Sequence, residues 1–312
     1  MRDRSGILII MNRLSSEKRK QVIACLVEGN SIRATCRMTG VAKNTVVKLL
    51  GDLGTVCSIH MDRTMRDLTC KRIQCDEIWA FVYAKQKNVP AEKRNEAGDV
   101  WTWVALDPDT KLVPTFHIGP RDLGAATAFM CDLAPRLRNR VQLTTDGHLP
   151  YRHAVLAAFG KNVDYAQLVK TYGTDADQRR PERRYSPSVC LGADQIPVNG
   201  DPDPDHISTS HIERLNLTMR MSMRRYTRLT NAFSKKVENL AAAVSIHFAH
   251  YNFCRVHGSL DGKTPAMAAR VTDHVWSLDE LIGLLEEAEA TPTKRGRYAK
   301  TRAVAREAED SN

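Results

Sequence analysis

Paired cysteines at zinc-binding spacing are missing from this sequence. Eight cysteines are scattered along 312 residues, and no two form a CxxC unit. Cys70 and Cys75 stand closest, with no second Cys/His pair at zinc-finger spacing to complete a site. A structural zinc is therefore not expected, and the thiols read as reduced and cytosolic. Long apolar runs are missing too. Ile7-Leu8-Ile9-Ile10-Met11 is far short of the roughly 20 residues that span a bilayer. It also lacks the length and cleavage site of a secretory signal. Internal repeats and low-complexity blocks are absent. Acidic charge is in deficit, with 36 Asp+Glu against 46 Lys+Arg, a net charge of +10. That balance favours a polyanionic partner, and without a membrane-directed segment the partner indicated is nucleic acid.

What is present falls into regions of different texture. Residues 12–58 read as helices only. Ser15 or Ser16 caps a helix through Val27, and Ser31 starts a second, ended by Thr39-Gly40-Val41. A third runs from Ala42 to Leu53 with Gly54 after it. Residues 70–165 turn strand-like. Apolar and β-branched runs at 73–83, 100–106, 112–118 and 141–145 alternate with helical patterns at 124–137 and 151–159, and a fifth strand covers 164–169. The order βββαβαβ predicts an α/β fold with a mixed sheet flanked by helices, preceded by an all-α segment. Residues 173–208 read as a polar, turn-rich loop. Helices resume over 210–223 and 232–255, and the charged end after about residue 290 has a disordered composition.

Residues 31–50 have helix-turn-helix layout, a short helix, a Gly-containing turn and a second helix opening on polar residues. In such a unit the first turn of the second helix faces base edges of duplex DNA. That turn offers Lys43, Asn44 and Thr45, with Lys48 one turn further on. Asn pairs with adenine, and Lys reaches guanine or phosphate. A three-helix bundle with a solvated basic face has the same pattern.

Metal-assisted cleavage of phosphodiesters needs carboxylates converging on one point. Asp76 lies inside an apolar strand, where an unpaired charge is costly. Glu77 follows it, but side chains alternate along a strand, so one of the two is expected at a given site. Asp146 ends a strand, a frequent functional position. Glu213 lies on a helix, with Arg220 and Arg224 expected on nearly the same face. Each acid also has a structural reading, as a buried partner of Arg, a turn-former or half of a surface ion pair. Spacing alone does not select three acids out of 36.

Three blocks together are more specific. Cys75-Asp76-Glu77-Ile78-Trp79-Ala80-Phe81-Val82, then Thr144-Thr145-Asp146-Gly147 with Tyr151, then His211-Ile212-Glu213-Arg214-Leu215-Asn216 resemble the signature blocks of the insertion-sequence-one family of bacterial transposases. The basic stretch from Arg224 to Lys236 is similar to one in that family. Residues 251–260 with Thr264-Pro265 resemble a closing motif of related integrases and transposases. The resemblance covers roughly residues 15 to 270. Members often carry a cysteine zinc element before the helix-turn-helix, which is missing here.

The resemblance implies a ribonuclease-H-like fold, a catalytic and metal-holding triad of Asp76, Asp146 and Glu213, and Mg²⁺ or Mn²⁺ as cofactor. It implies a bacterial cytoplasmic DNA transposase acting on double-stranded transposon ends and target DNA. A homo-oligomer is expected because two ends must be held together, with no membrane or small-molecule substrate. Glu77 and His257 are secondary candidates. Arg220, Arg224, Arg225, Arg228, Lys235 and Lys236 are expected to hold DNA phosphates. The expected division is a helix-turn-helix domain over 1–65, a catalytic domain over 66–275, and a C-terminal helix with a disordered tail over 276–312. The alternative is a sequence-specific DNA-binding regulator with an inactive nuclease domain.

Overall fold

The computed structural model describes residues 13–173, 190–227 and 231–290. The Ile7–Met11 run, most of the first half of the polar segment, Arg228 and the tail beyond 290 lie outside the described residues. Ser15 accepts a hydrogen bond from the Lys18 amide and so caps α1 (Ser16–Val27). Ser31 does the same through Ala34 for α2 (Ile32–Thr39), which Gly40 ends in a left-handed conformation open to glycine. The turn leads into α3 (Lys43–Thr64), which is longer than expected. It runs through Gly54 instead of stopping there. A Cβ at Gly54 would stand 2.5 Å from Ala242, so glycine serves a close helix approach within the element and not its end.

The sheet follows, with β1 (Arg72–Val82), β2 (Gly98–Leu106) and β3 (Phe116–Gly119) forming an antiparallel meander. Then come α4 (Leu123–Leu133), β4 (Val141–Asp146), α5 (Pro150–Phe159), β5 (Val163–Tyr172) and β6 (Cys190–Asn199). The spatial order is β3-β2-β1-β4-β5-β6, with β4 parallel to β1 and β5 parallel to β4. This is the mixed, helix-flanked sheet expected of a ribonuclease-H-like chain, behind a helical N-terminal segment.

β6 corrects the reading of 173–208 as loop throughout. Residues 190–199 pair antiparallel with β5 at the sheet's edge. The strand is mostly exposed, so it lacks the alternating burial by which a strand announces itself, and its Pro197 is tolerated at an edge.

Helices α6 (Ser210–Ser222), α7 (Val237–Ala249), α8 (Pro265–Ala268) and α9 (Leu278–Ala290) complete the described residues. Buried Leu53, Cys57 and Met61 of α3 join one apolar cluster with Leu240, Val244 and Phe248 of α7 and Leu281, Ile282 and Leu285 of α9. Arg19 of α1 reaches Glu289 of α9 at 2.9 Å. The N-terminal helices are thereby packed against α7 and α9. No described helix is long and apolar enough to cross a membrane.

Candidate metal centre

Two parallel neighbours set the site. Cys75 on β1 is level with Thr145 on β4, so the next residue on each strand is an acid, Asp76 or Asp146. β4 then ends, so it no longer pairs with β1 beyond this level. Gln167 of β5 holds the turn that follows, its Nε2 donating to the carbonyls of Asp146 at 3.0 Å and His148 at 3.3 Å. The His148 amide donates to Asp146 Oδ1 at 3.0 Å.

α6 is fixed over the same region from the other end of the chain. The first turn of a helix has amides without helical partners. Here the amides of His211 and Ile212 donate to Gln74 Oε1 at 3.1 and 3.0 Å, tying α6 to β1 two residues before Asp76. One turn further along α6, Asn216 Nδ2 donates to Asp76 Oδ2 at 2.8 Å. Asp76 Oδ1 accepts from the Glu77 amide at 2.8 Å.

Glu77 is enclosed too, its side chain 1% exposed. Arg121 Nε donates to its Oε1 at 2.8 Å and the Tyr151 hydroxyl to its Oε2 at 3.2 Å. Arg121 also reaches Asp146 at 3.4 Å, bridging the two acids. Asp76, Glu77 and Asp146 each present an oxygen within 4.8 Å of the others. The expectation that alternation admits only one of Asp76 and Glu77 is therefore corrected. Their contacts do differ, α6 on one and α5 with Arg121 on the other. Glu77 is long enough to bring its carboxylate level with Asp76 where β4 no longer intervenes.

The electrostatics follow from this crowding. Two carboxylates 4.8 Å apart repel by about 3 kcal/mol at an effective dielectric near 20. Burial, then the charges of Glu77 and Asp146, push the Asp76 carboxyl up to about 7. Burial and Asp146 raise Glu77 too, against the pull of Arg121. A hard divalent ion takes oxygen ligands at about 2.1 Å. Oxygens already this close, on acids that resist ionising together, fit such an ion.

Glu213 stands apart from that trio. Its Oε1 accepts from Thr209 Oγ1 at 2.6 Å and pairs with Lys170 of β5, and its side chain is 47% exposed. Its charge still reaches Asp76 as a small contribution raising the carboxyl. His257 packs edge-on against Tyr251 at 4.8 Å and makes no hydrogen bond to the carboxylates.

The chain resembles solved transposase structures only loosely. No protein-family model matches it, and no curated protein does. It is similar to a Mos1 transposase in a paired-end complex with the left transposon end, at 12% identity over 49% of this chain with a TM-score of 0.23. It spans 59% of that chain's length. A piggyBac transposase in a synaptic complex with hairpin DNA matches at 9% identity, over 90% of this chain and 74% of that one, with a TM-score of 0.40.

The basic residues lie elsewhere. Lys43, Asn44, Thr45 and Lys48 are exposed on the first turns of α3, with Lys48 paired to Asp52. Arg220 is in the last turn of α6. The stripe expected to continue to Arg224 is broken, because buried Met223 takes an extended conformation and ends the helix. Arg224 and Arg225 lie in a tight turn after it, and exposed Lys235 and Lys236 precede α7. Sequence reasoning missed Gln74, Arg121, Lys170 and any role for Asn216. Asn216 alone left a signal, three residues after Glu213 and hence on its helix face.

Proposed function

We propose that the chain is a DDE-type DNA transposase of the insertion-sequence-one kind, acting on the double-stranded ends of a mobile element and on target DNA. The observation that carries the reading is the convergence of Asp76, Glu77 and Asp146 at the open end of β4, beneath a helix that bears Glu213. In this reading Asp76, Asp146 and Glu213 hold Mg²⁺ or Mn²⁺. Glu77 is close enough to join or replace Glu213 as a ligand. When bound, the metal supplies charge neutralisation at the attacking and leaving oxygens of the phosphodiester.

The chain's own residues do the rest. Asn216 orients Asp76, Gln74 fixes the start of α6, and Lys170 holds Glu213 until the site is loaded. Arg121 stands beside the acids as a counter-charge, able to turn to a phosphate oxygen as the carboxylates engage the metal. Residues 1–65 act as a duplex-reading arm, 66–275 as the catalytic unit and 276–312 as its C-terminal brace and tail. Assembly of two or more copies would bring two ends together.

Arg121 also favours a second reading. Its guanidinium already bridges Glu77 and Asp146, as in an acid cluster neutralised by the protein itself, which suits a DNA-binding regulator with an inert nuclease domain. Duplex binding together with Mg²⁺-dependent nicking of an element-end duplex separates the two. The transposase reading expects Asp146→Asn to bind the duplex and to lose nicking by several orders of magnitude. Wild-type protein that binds but never cuts with either metal would give the regulator reading precedence.

A further inference from the structure

A cavity of about 810 Å³ opens between the N-terminal helices and the chain linking α6 to α7. The end of α1 and the first turns of α2 and α3 form one wall, and Met223, Arg224, Arg225 and residues from Asn231 to His247 form the other. Six cations line it, Arg33, Lys43, Arg224, Arg225, Lys235 and Lys236, and no Asp or Glu does. Among the described residues, none of the six is in an ion pair with a carboxylate. Elsewhere in the chain, buried or bridging cations such as Arg19, Arg136 and Lys170 are matched by acids. Six unmatched cations around one concavity repel each other and focus a positive field there, which an anion relieves.

Two further groups of the lining are withdrawn from water, Arg225 half-buried and His247 buried. Arg225 is withdrawn from water far enough to lower its pKa, and its one hydrogen bond among the described residues goes to the Ser234 hydroxyl at 2.6 Å. His247 is buried with Nε2 lacking a partner. Such groups are costly unless something completes their hydrogen bonding.

The remaining wall is apolar and distinguishes among anions. Ile32, Val47, Ile246 and Phe233 contribute to it, with Phe233 resting on Phe81 at 4.8 Å between ring centres. Free phosphate would use the cations and leave this wall in water. A duplex turns its base faces inward, away from such a wall. An unpaired strand offers phosphates and open base faces together.

We propose that this cavity binds an unpaired DNA strand, with phosphates on the cationic rim and one or two bases against Phe233 and the aliphatic wall. Lys43 and Asn44, at the start of the helix assigned above to duplex DNA, also line this cavity. The proposal deepens the DNA-binding half of the reading above and does not rest on its carboxylate chemistry.

The test uses the full chain in EDTA, with fluorescence anisotropy on a labelled oligo-dT of about ten nucleotides and on a blunt duplex of equal length. Oligo-dT is expected to bind more tightly than the duplex. Phe233→Ser should weaken it about tenfold with its salt dependence unchanged. Lys235→Glu with Lys236→Glu should weaken it and flatten the slope of log K against log salt by about 1.4. Both lysines are exposed, so this second variant carries the test if loss of the Phe81 contact unfolds the first. The proposal is overturned if neither variant changes oligo-dT binding, or if the duplex competes equally and both variants weaken the two ligands alike. Metal-dependent nicking without strand binding would defeat this proposal alone. Strand binding without nicking would leave it standing while the transposase reading failed.

Discussion

Removing one negative charge from the acid cluster should make the metal-free protein more stable. In the folded chain the Asp76 carboxyl is raised from 3.8 to about 7, chiefly by burial and by Glu77 and Asp146. An acid harder to ionise folded than unfolded supports the fold fully only below its unfolded pKa of about 3.9. That support is lost as pH rises through about 7. Three pH units correspond to about 4 kcal/mol as a ceiling, and local relaxation lowers the expected value to about 2–4 kcal/mol. Asp76→Asn removes the charge at little cost in hydrogen bonding. Its Oδ1 still accepts from the Glu77 amide, and its new NH₂ faces Asn216, whose Oδ1 has no partner and whose amide can flip to accept. Thermal unfolding in EDTA at pH 8 is therefore expected to shift upward by about 3–6 °C, with almost no shift at pH 4. A variant less stable than wild type at pH 8, or stabilised equally at both pH values, would refute the reasoning.

Two further perturbations test how the site is framed. Gly54→Ala is expected to lower stability by about 1–3 kcal/mol in spite of its better helix propensity, because the new methyl meets the Ala242 backbone. Gly51→Ala on the same helix meets nothing within 4 Å and should raise stability by about 0.5–1 kcal/mol, so urea melts of the pair should move in opposite directions. Gln74→Met leaves two amides of α6 without their acceptor and should cost about 1–3 kcal/mol. In hydrogen exchange, its first signature should be loss of protection at the start of α6 and not in β5.

The parts of the site legible in the sequence were those with local signals. Asp76 stands out as an acid within a run of β-formers, and Asp146 as the last residue of a short strand before glycine. The helices at 16–27 and 32–39 declare themselves by their serine caps. What was not legible depends on contacts between residues far apart in the chain. Gln74 meets α6 across 137 positions and Arg121 meets Glu77 across 44, and neither pairing leaves a periodicity or spacing to read. Glu77 was underweighted because alternation fixes the direction in which a side chain leaves the strand but not the reach of a long carboxylate past the level where β4 stops. Gly54 looked like a helix stop because its close approach to Ala242, the reason it is glycine, is tertiary. β6 was invisible for a related reason, since an exposed edge strand has no buried face to pattern its residues.

The claim on which the account turns is that Asp76 and Asp146, joined by Glu213 or Glu77, hold a divalent cation. It is tested most directly by Mn²⁺ binding, followed through loss of the free-ion signal in electron paramagnetic resonance as the protein is titrated. Saturable binding is expected at pH 8, weakening as pH falls below about 7 and Asp76 takes up its proton. Asp76→Asn and Asp146→Asn should each reduce the affinity at least tenfold while the fold is retained. Equal depletion of free Mn²⁺ by wild type and both variants would contradict the claim, because it would place the bound ion somewhere other than these carboxylates.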